Sequence, residues 1–282
     1  MIENCEPPDV GFETFSAIQW GFKRALVNPL ANYLPSGLTK AILRFGKSEL
    51  AEANWADPGG WRSMVISYNG RCGQLADKIL VKAGTVPTAL RNRKRLAAHL
   101  IAGLIDDDKS ESTHVLCLGA GPGQIIIEAM SQAKTGSHAT LVDLNTGSFD
   151  FGRALAARQG LEDRVRFIQA DVRDLHEYLH DMPHIVKMLG ICEYLDDEQI
   201  VTIAGAAWDV MPDGAPIVFN SISKSHGTDR FFRRVFGLHM NHRSPGELAG
   251  LMKRAGFGSF VTYREPLGVY HVIIGRKVRP EN

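Results

Sequence analysis

The stretch His114-Val-Leu-Cys-Leu-Gly-Ala-Gly-Pro-Gly-Gln124 restricts the fold more than any other part of this chain. An apolar run that ends in glycines is the pattern of a buried strand. The residues after it, 124 to 132, carry apolar side chains around most of a helical surface, as in a buried helix. Strand, glycine turn and helix together form the nucleotide-binding corner of a doubly wound sheet. Glycine is needed there where the backbone turns with positive φ, or where a ligand lies against the chain. Pro122 suits the first turn of the helix, where its missing N–H costs nothing.

The rest of the chain extends this pattern. Strands are expected at 114–118, 139–143, 165–169, 184–189, 215–220, 259–263 and 269–275, with helices at 123–134, 148–158, 197–210 and 244–255. Such alternation implies a parallel sheet. The last two strands are joined through Glu265-Pro-Leu-Gly268, a turn that permits only a hairpin. Residues 1–110 show helical spacing over 38–55, 64–81 and 90–105, with breaks at 57–60 and 84–87 and no sustained strand-like alternation. The expected fold class is therefore α/β: a doubly wound, mostly parallel seven-stranded sheet with an antiparallel edge hairpin. An N-terminal helical cap is expected over 1–110 and a Rossmann-like domain over 111–282.

The glycine spacing narrows the ligand. A dinucleotide fingerprint would place its third glycine at position 124, but Gln124 stands there and Gly123 comes one residue early. The resulting G-x-G-x-G resembles motif I of the class I methyltransferases, which bind S-adenosylmethionine (SAM). Taken alone, the loop is also compatible with a nicotinamide or flavin site, or with a packing turn that holds no ligand. Asp143 ends the second strand, where an acid in nucleotide-binding α/β folds takes ribose hydroxyls; a helix N-cap is the plainer role. Asp171 follows the third strand. In the family it resembles, an acid here reads the adenine amino group while an apolar neighbour, Val172, packs on the ring.

The resemblance covers about residues 112–276. It implies SAM as cofactor, held by Tyr68, Gly119, Ala120, Gly121, Gly123, Asp143, Leu144, Asp171, Val172, Gly190 and Glu193. The chain departs from the family at the fourth strand. His184 replaces a common acid, and Gly190 to Tyr194 stand where amino-group methylases carry an Asn-Pro-Pro-Tyr-like segment. Methylation of a nucleobase is thereby disfavoured. Tyr194, Asn220, Ser221 and His226 lie where strands four and five reach the ligand edge, and they are the candidate catalytic residues. The more ordinary readings are a loop for Tyr194 and a surface or capping position for His226. Tyr68, on a cap helix, is either a cofactor contact or helix packing. Arg91-Asn-Arg-Lys-Arg95 could meet an acidic substrate or RNA, though a solvated helix face is the commoner reading of such a cluster.

The reading that follows is methyl transfer from SAM to a small molecule in secondary (natural-product) metabolism. An alternative keeps the cofactor and breaks another sulfonium bond, releasing 5′-methylthioadenosine, as in azetidine-2-carboxylate synthase-like cyclisation or the aminocarboxypropyl transfer of nicotianamine synthases. With 32 basic and 31 acidic residues, no nucleic-acid partner is expected. No metal is expected, because the histidines lack accompanying cysteines or paired carboxylates. The four scattered cysteines, the absence of a cationic leader and the lack of any bilayer-length apolar run lead to the expectation of a cytoplasmic protein without a membrane partner. Monomer and homodimer are both open.

Overall fold

A computed structural model describes residues 2–279. The strands are β1 (Ile2–Cys5), β2 (Thr113–Leu118), β3 (Ser137–Asp143), β4 (Val165–Gln169), β5 (Ile185–Met188), β6 (Pro216–Ile222), β7 (Phe257–Arg264) and β8 (Tyr270–Lys277). The N-terminal region expected as a cap begins with α1 (Ala17–Phe22), a π turn (Lys23–Val27) and α2 (Asn28–Tyr33), followed by α3 (Ser36–Phe45), α4 (Glu49–Ala56) and α5 (Trp61–Asn69). A short α6 (Leu75–Asp77) runs into a second π turn (Lys78–Lys82), and the long α7 (Thr85–Asp107) leads to the sheet. Beyond it lie α8 (Gln124–Gln132), α9 (Phe149–Arg158), α10 (Leu175–Tyr178), α11 (Asp197–Val210), α12 (Asp229–Phe231) and α13 (Pro245–Arg254).

The sheet order is β1-β7-β8-β6-β5-β2-β3-β4. β8 runs antiparallel to both β6 and β7, and the other pairings are parallel. All seven expected strands form. One feature differs from the expectation: Ile2–Cys5 is an eighth strand, paired with Phe260–Tyr263, so the hairpin is covered and does not make the edge. Four residues with two outward polar side chains, Glu3 and Asn4, are too short a run for sustained alternation to reveal.

The sheet is buried on both faces, which is why β2 reads as an unbroken buried run. One face is filled from α7 and α8, with Leu96, Ile101, Ile105 and Ile126 fully buried. The other is filled from α11 and α13, with Ile200, Ala204 and Met252 at its heart. A third cluster joins the cap to the loops beyond β6, through Leu43, Val86, Leu90, Phe236 and Tyr270. α7 belongs to both regions: Val86, Ala89 and Leu90 pack into the cap cluster, and residues from Leu96 onward pack on the sheet. At about 1.5–3 kcal/mol for each large aliphatic side chain removed from water, this helix fastens the two together.

Candidate active site

β2 lies at the switch point, with β5 on one side and β3 on the other, so a crevice opens beyond their carboxyl ends. The glycine loop fills that position. Gly119, Gly121 and Gly123 have φ of +58°, +52° and +72°, the left-handed region that favours glycine. A Cβ on Gly119 would meet Ile191 Cγ2 at 2.4 Å, and one on Gly123 would meet Leu141 Cδ2 at 2.1 Å. A Cβ on Gly121 would meet nothing closer than Trp61 Cβ at 3.9 Å. The outer glycines are therefore dictated by packing, while the middle one leaves a cradle open to the crevice.

Asp143 closes the loop from below. Its Oδ2 accepts the Gly121 N–H at 2.8 Å and its Oδ1 accepts the Asn145 N–H at 2.9 Å. Each carboxylate oxygen keeps a lone pair for a further donor. Together these groups bound a cavity of about 260 Å³, closed from the cap side by Gly59, Gly60, Trp61, Met64 and Tyr68.

Two cations reach the same cavity, and sequence reasoning missed both. Arg93, on α7, is 1 % exposed; its Nη2 donates to the Tyr68 hydroxyl oxygen at 2.7 Å and its Nη1 to Glu193 Oε1 at 3.2 Å. Its guanidinium lies 4.6 Å from the Tyr270 ring centroid. The Arg91–Arg95 cluster is thus no solvated face: Arg91, Asn92 and Arg93 are buried, and Arg91 is paired with Glu13 at 2.7 Å. The burial of these basic residues has no signature in composition, because the acids that receive them, Glu13 and Glu193, lie far away in sequence. Lys187, buried in β5 opposite Cys117, also lines the cavity. Its signal was available: a single lysine inside the apolar run Ile185-Val-Lys-Met188.

Of the expected site residues, Tyr68, Gly119, Ala120, Gly121, Gly123, Asp143, Gly190 and Tyr194 line this cavity. Glu193 and Asn220 stand directly behind it. Asn220 Oδ1 accepts the Gly190 N–H at 2.7 Å and a longer bond from Arg93 at 3.4 Å, fixing the loop after β5. Ser221 is buried in β6 with its hydroxyl unpartnered. Leu144 is exposed, Val172 packs against the α11 side of the core, and Asp171 is taken by Arg173. The Arg173 hydrogen bonds push the Asp171 carboxyl down to about 2. None of these three lines the cavity.

His226 is also elsewhere. It is fully buried beyond β6, with Nδ1 2.9 Å from Thr228 Oγ1 and Nε2 3.3 Å from His242 Nε2. Burial, then the neighbouring His242, push its pKa down to about 4, so it is a neutral ring of the core. Tyr194 turns part of its ring to solvent, while its hydroxyl end packs against Gly59. Burial and the nearby Glu193 raise its phenol above the ordinary range, which leaves it a hydrogen-bond donor near neutrality. A smaller chamber of about 40 Å³ continues behind Tyr194, lined by Met64, Leu90, Leu238, Met240, Glu193 and Tyr270. It shares Gly59, Met64 and Tyr194 with the larger cavity.

A parallel sheet interrupted by one antiparallel strand, with a glycine cradle and a strand-ending acid at its switch point, defines the class I methyltransferase fold. The chain belongs to the methyltransferase family described as "Putative methyltransferase", which it matches over residues 65–277. Among solved structures it is similar to the S-adenosylmethionine-dependent methyltransferase SibL, with a TM-score of 0.58 and 16% identity over 93% of this chain and 73% of that one. An O-methyltransferase family protein from Burkholderia thailandensis gives 0.53 and 17%, over 73% of this chain and 65% of that chain. At such identities the likeness is one of fold. Among curated proteins, the uncharacterized protein YnbC of Escherichia coli (strain K12) is 26% identical over 223 residues, 74% of this chain. The chain spans only 37% of the length of YnbC.

Proposed function

We propose that the chain transfers the methyl group of SAM to a small molecule of secondary metabolism, in the cytoplasm, with the helices between residues 17 and 90 acting as a cap over a SAM-binding domain that takes in β1 and the rest of α7 as well as residues 111–279. The observation that carries this reading is the shared wall of Gly59, Met64 and Tyr194 between the glycine cradle and the smaller chamber. It supports a reading in which the apolar part of an acceptor enters the smaller chamber beside the cofactor space. SAM, when bound, supplies an electrophilic methyl carbon on a sulfonium.

This chain's own residues bind and orient. Asp143 offers two carboxylate oxygens to a vicinal diol, and the open face of Gly121 admits the ligand against backbone. Arg93, with Tyr68, and Lys187 supply positive charge suited to an α-carboxylate. Tyr194 and Met64 exclude water and hold the acceptor in line. In-line displacement needs positioning and desolvation more than proton transfer, so a site without a free base is compatible with it. His226 has no part in this reading. The alternative of SAM cyclisation or aminocarboxypropyl transfer finds no support among the relatives.

The nucleoside released from SAM tests the proposal. Pure protein incubated with SAM and a panel of small hydroxylated or amino acceptors should give S-adenosylhomocysteine only when an acceptor is present. Methylthioadenosine formed from SAM alone would replace methyl transfer by cyclisation.

A further inference from the structure

The outer face of the cap carries large apolar side chains that no other described residue covers. Along residues 17–33, Ile18, Phe22, Leu26, Leu30 and Tyr33 are 46–85 % exposed. Ile18, Phe22, Leu26 and Leu30 recur every four residues, a spacing that drifts by about 40° per step on a pure α-helix, and Tyr33 follows after three. The wider π turn at Lys23–Val27 and the three-residue step to Tyr33 turn the other way, so the five side chains stay on one side. On α3, Thr39 and Leu43 are buried, while Leu38, Ile42 and Phe45 face outward, Phe45 at 92 %. Leu75 and Ile79 repeat the pattern on α6 and the π turn that follows. These elements are neighbours: the Lys23 ammonium donates to the Ala83 carbonyl, and Ser48 Oγ donates to Asp77 Oδ1 at 2.6 Å.

The charge on this face has one sign. Residues 14–48 contain no acid; Arg24, Lys40, Arg44 and Lys47 lie toward solvent, while Lys23 is buried against the Ala83 carbonyl. Lys78 and Lys82 are exposed on the adjoining π turn, and Asp77 beside them is buried, accepting from Ser48 and the Glu49 N–H. Glu49 and Glu52 belong to the next helix. Beside the α3 stripe, Lys40, Arg44, Arg233 and Arg234 surround a cavity of about 390 Å³ against Trp55, with no acid in its wall. Arg44 lies 5.1 Å from the Trp55 ring centroid, and Arg233 is steadied by Asp229 at 3.0 Å.

We propose that this face seats the protein on an anionic phospholipid surface, with the Lys40–Arg44–Arg233–Arg234 cavity taking a headgroup phosphate. Apolar stripes bordered by cations are the pattern of helices that lie in a membrane interface. No helix among the described residues is long and apolar enough to cross a membrane, so the contact is one of docking. A second copy of this chain is the wrong occupant, because a twofold contact would set cation against cation. The assignment does not rest on methyl transfer.

The test is co-sedimentation of the full chain with vesicles of phosphatidylcholine alone and of phosphatidylcholine mixed with phosphatidylglycerol. Binding is expected only to the mixed vesicles, falling as salt rises. Lys40→Glu with Arg44→Glu should weaken it by about thirtyfold or more, at about 1 kcal/mol for each cation near the surface. Phe22→Ser with Phe45→Ser should weaken it as well, with the unfolding midpoint unchanged because both side chains are exposed. Equal binding to both vesicles, or none, overturns the proposal. So does full competition by soluble glycerol phosphate, which would make the cavity a free-phosphate site, or a dimer that the Phe22/Phe45 variant dissolves.

Discussion

Arg93 and Glu193 meet at 3.2 Å with side chains only 1 % and 3 % exposed, joining the cap-bearing helix to the loop after β5. Breaking such a pair from one side leaves a buried charge without its counterion. Arg93→Met should therefore cost about 3–5 kcal/mol of stability, read from the urea midpoint. Combining it with Glu193→Gln should recover part of that loss. A double variant no better than the single one would show that the Tyr68 and Tyr270 contacts, and not the ion pair, hold the arginine.

Asp143 holds the Gly121 and Asn145 amides as well as facing the cavity. Asp143→Ala should weaken SAM by tenfold or more in calorimetric titration, at about 1.5–3 kcal/mol for a hydrogen bond to a charged group. Unchanged affinity would remove Asp143 from the site.

The three glycines should separate by phenotype. Gly121→Ala meets no protein atom closer than 3.9 Å, so it should keep the fold, with about 1 kcal/mol of backbone strain, and lose SAM affinity. Gly123→Ala runs into Leu141 at 2.1 Å and should destabilise the whole domain. Equal thermal shifts for the two would contradict the division of roles.

Acid should destabilise the protein through His226. Its folded pKa of about 4 lies below the ordinary 6.5, so the unfolded chain binds the proton first. The stability is present above 6.5 and is lost as the pH falls toward 4. Between pH 7 and 5 the loss from this residue is about 2 kcal/mol. His226→Gln should flatten that part of the profile in denaturant melts at several pH values.

The sheet was legible because the strands other than β1 lie in apolar runs bounded by turns, even β5 with only four residues, whereas β1 carries Glu3 and Asn4 at its centre. The cofactor side was legible because glycine spacing and a strand-ending acid are local signals. Arg93 was not, since what makes a cation functional is the burial that tertiary packing gives it, and Glu193 and Asn220 arrive from the loop after β5 and from β6; Lys187 did leave a local trace, a lone lysine in an apolar strand. Asp171 shows the converse: its position in sequence fits a ligand contact, but Arg173 two residues on supplies a closer partner. His226 titrates near neutrality in water, and only the fold reveals that it is sealed beside His242.

The register of Ile2–Cys5 on Phe260–Tyr263 has a consequence for assembly. Its partners are nearly a whole chain apart, and contacts of such sequence separation form slowly because loop closure comes first. Until β1 arrives, β7 presents an open row of backbone donors and acceptors, the kind of edge that recruits other chains. Four short residues thus act as the latch on the folding product: refolding yield, more than the native midpoint, is where their loss would be felt.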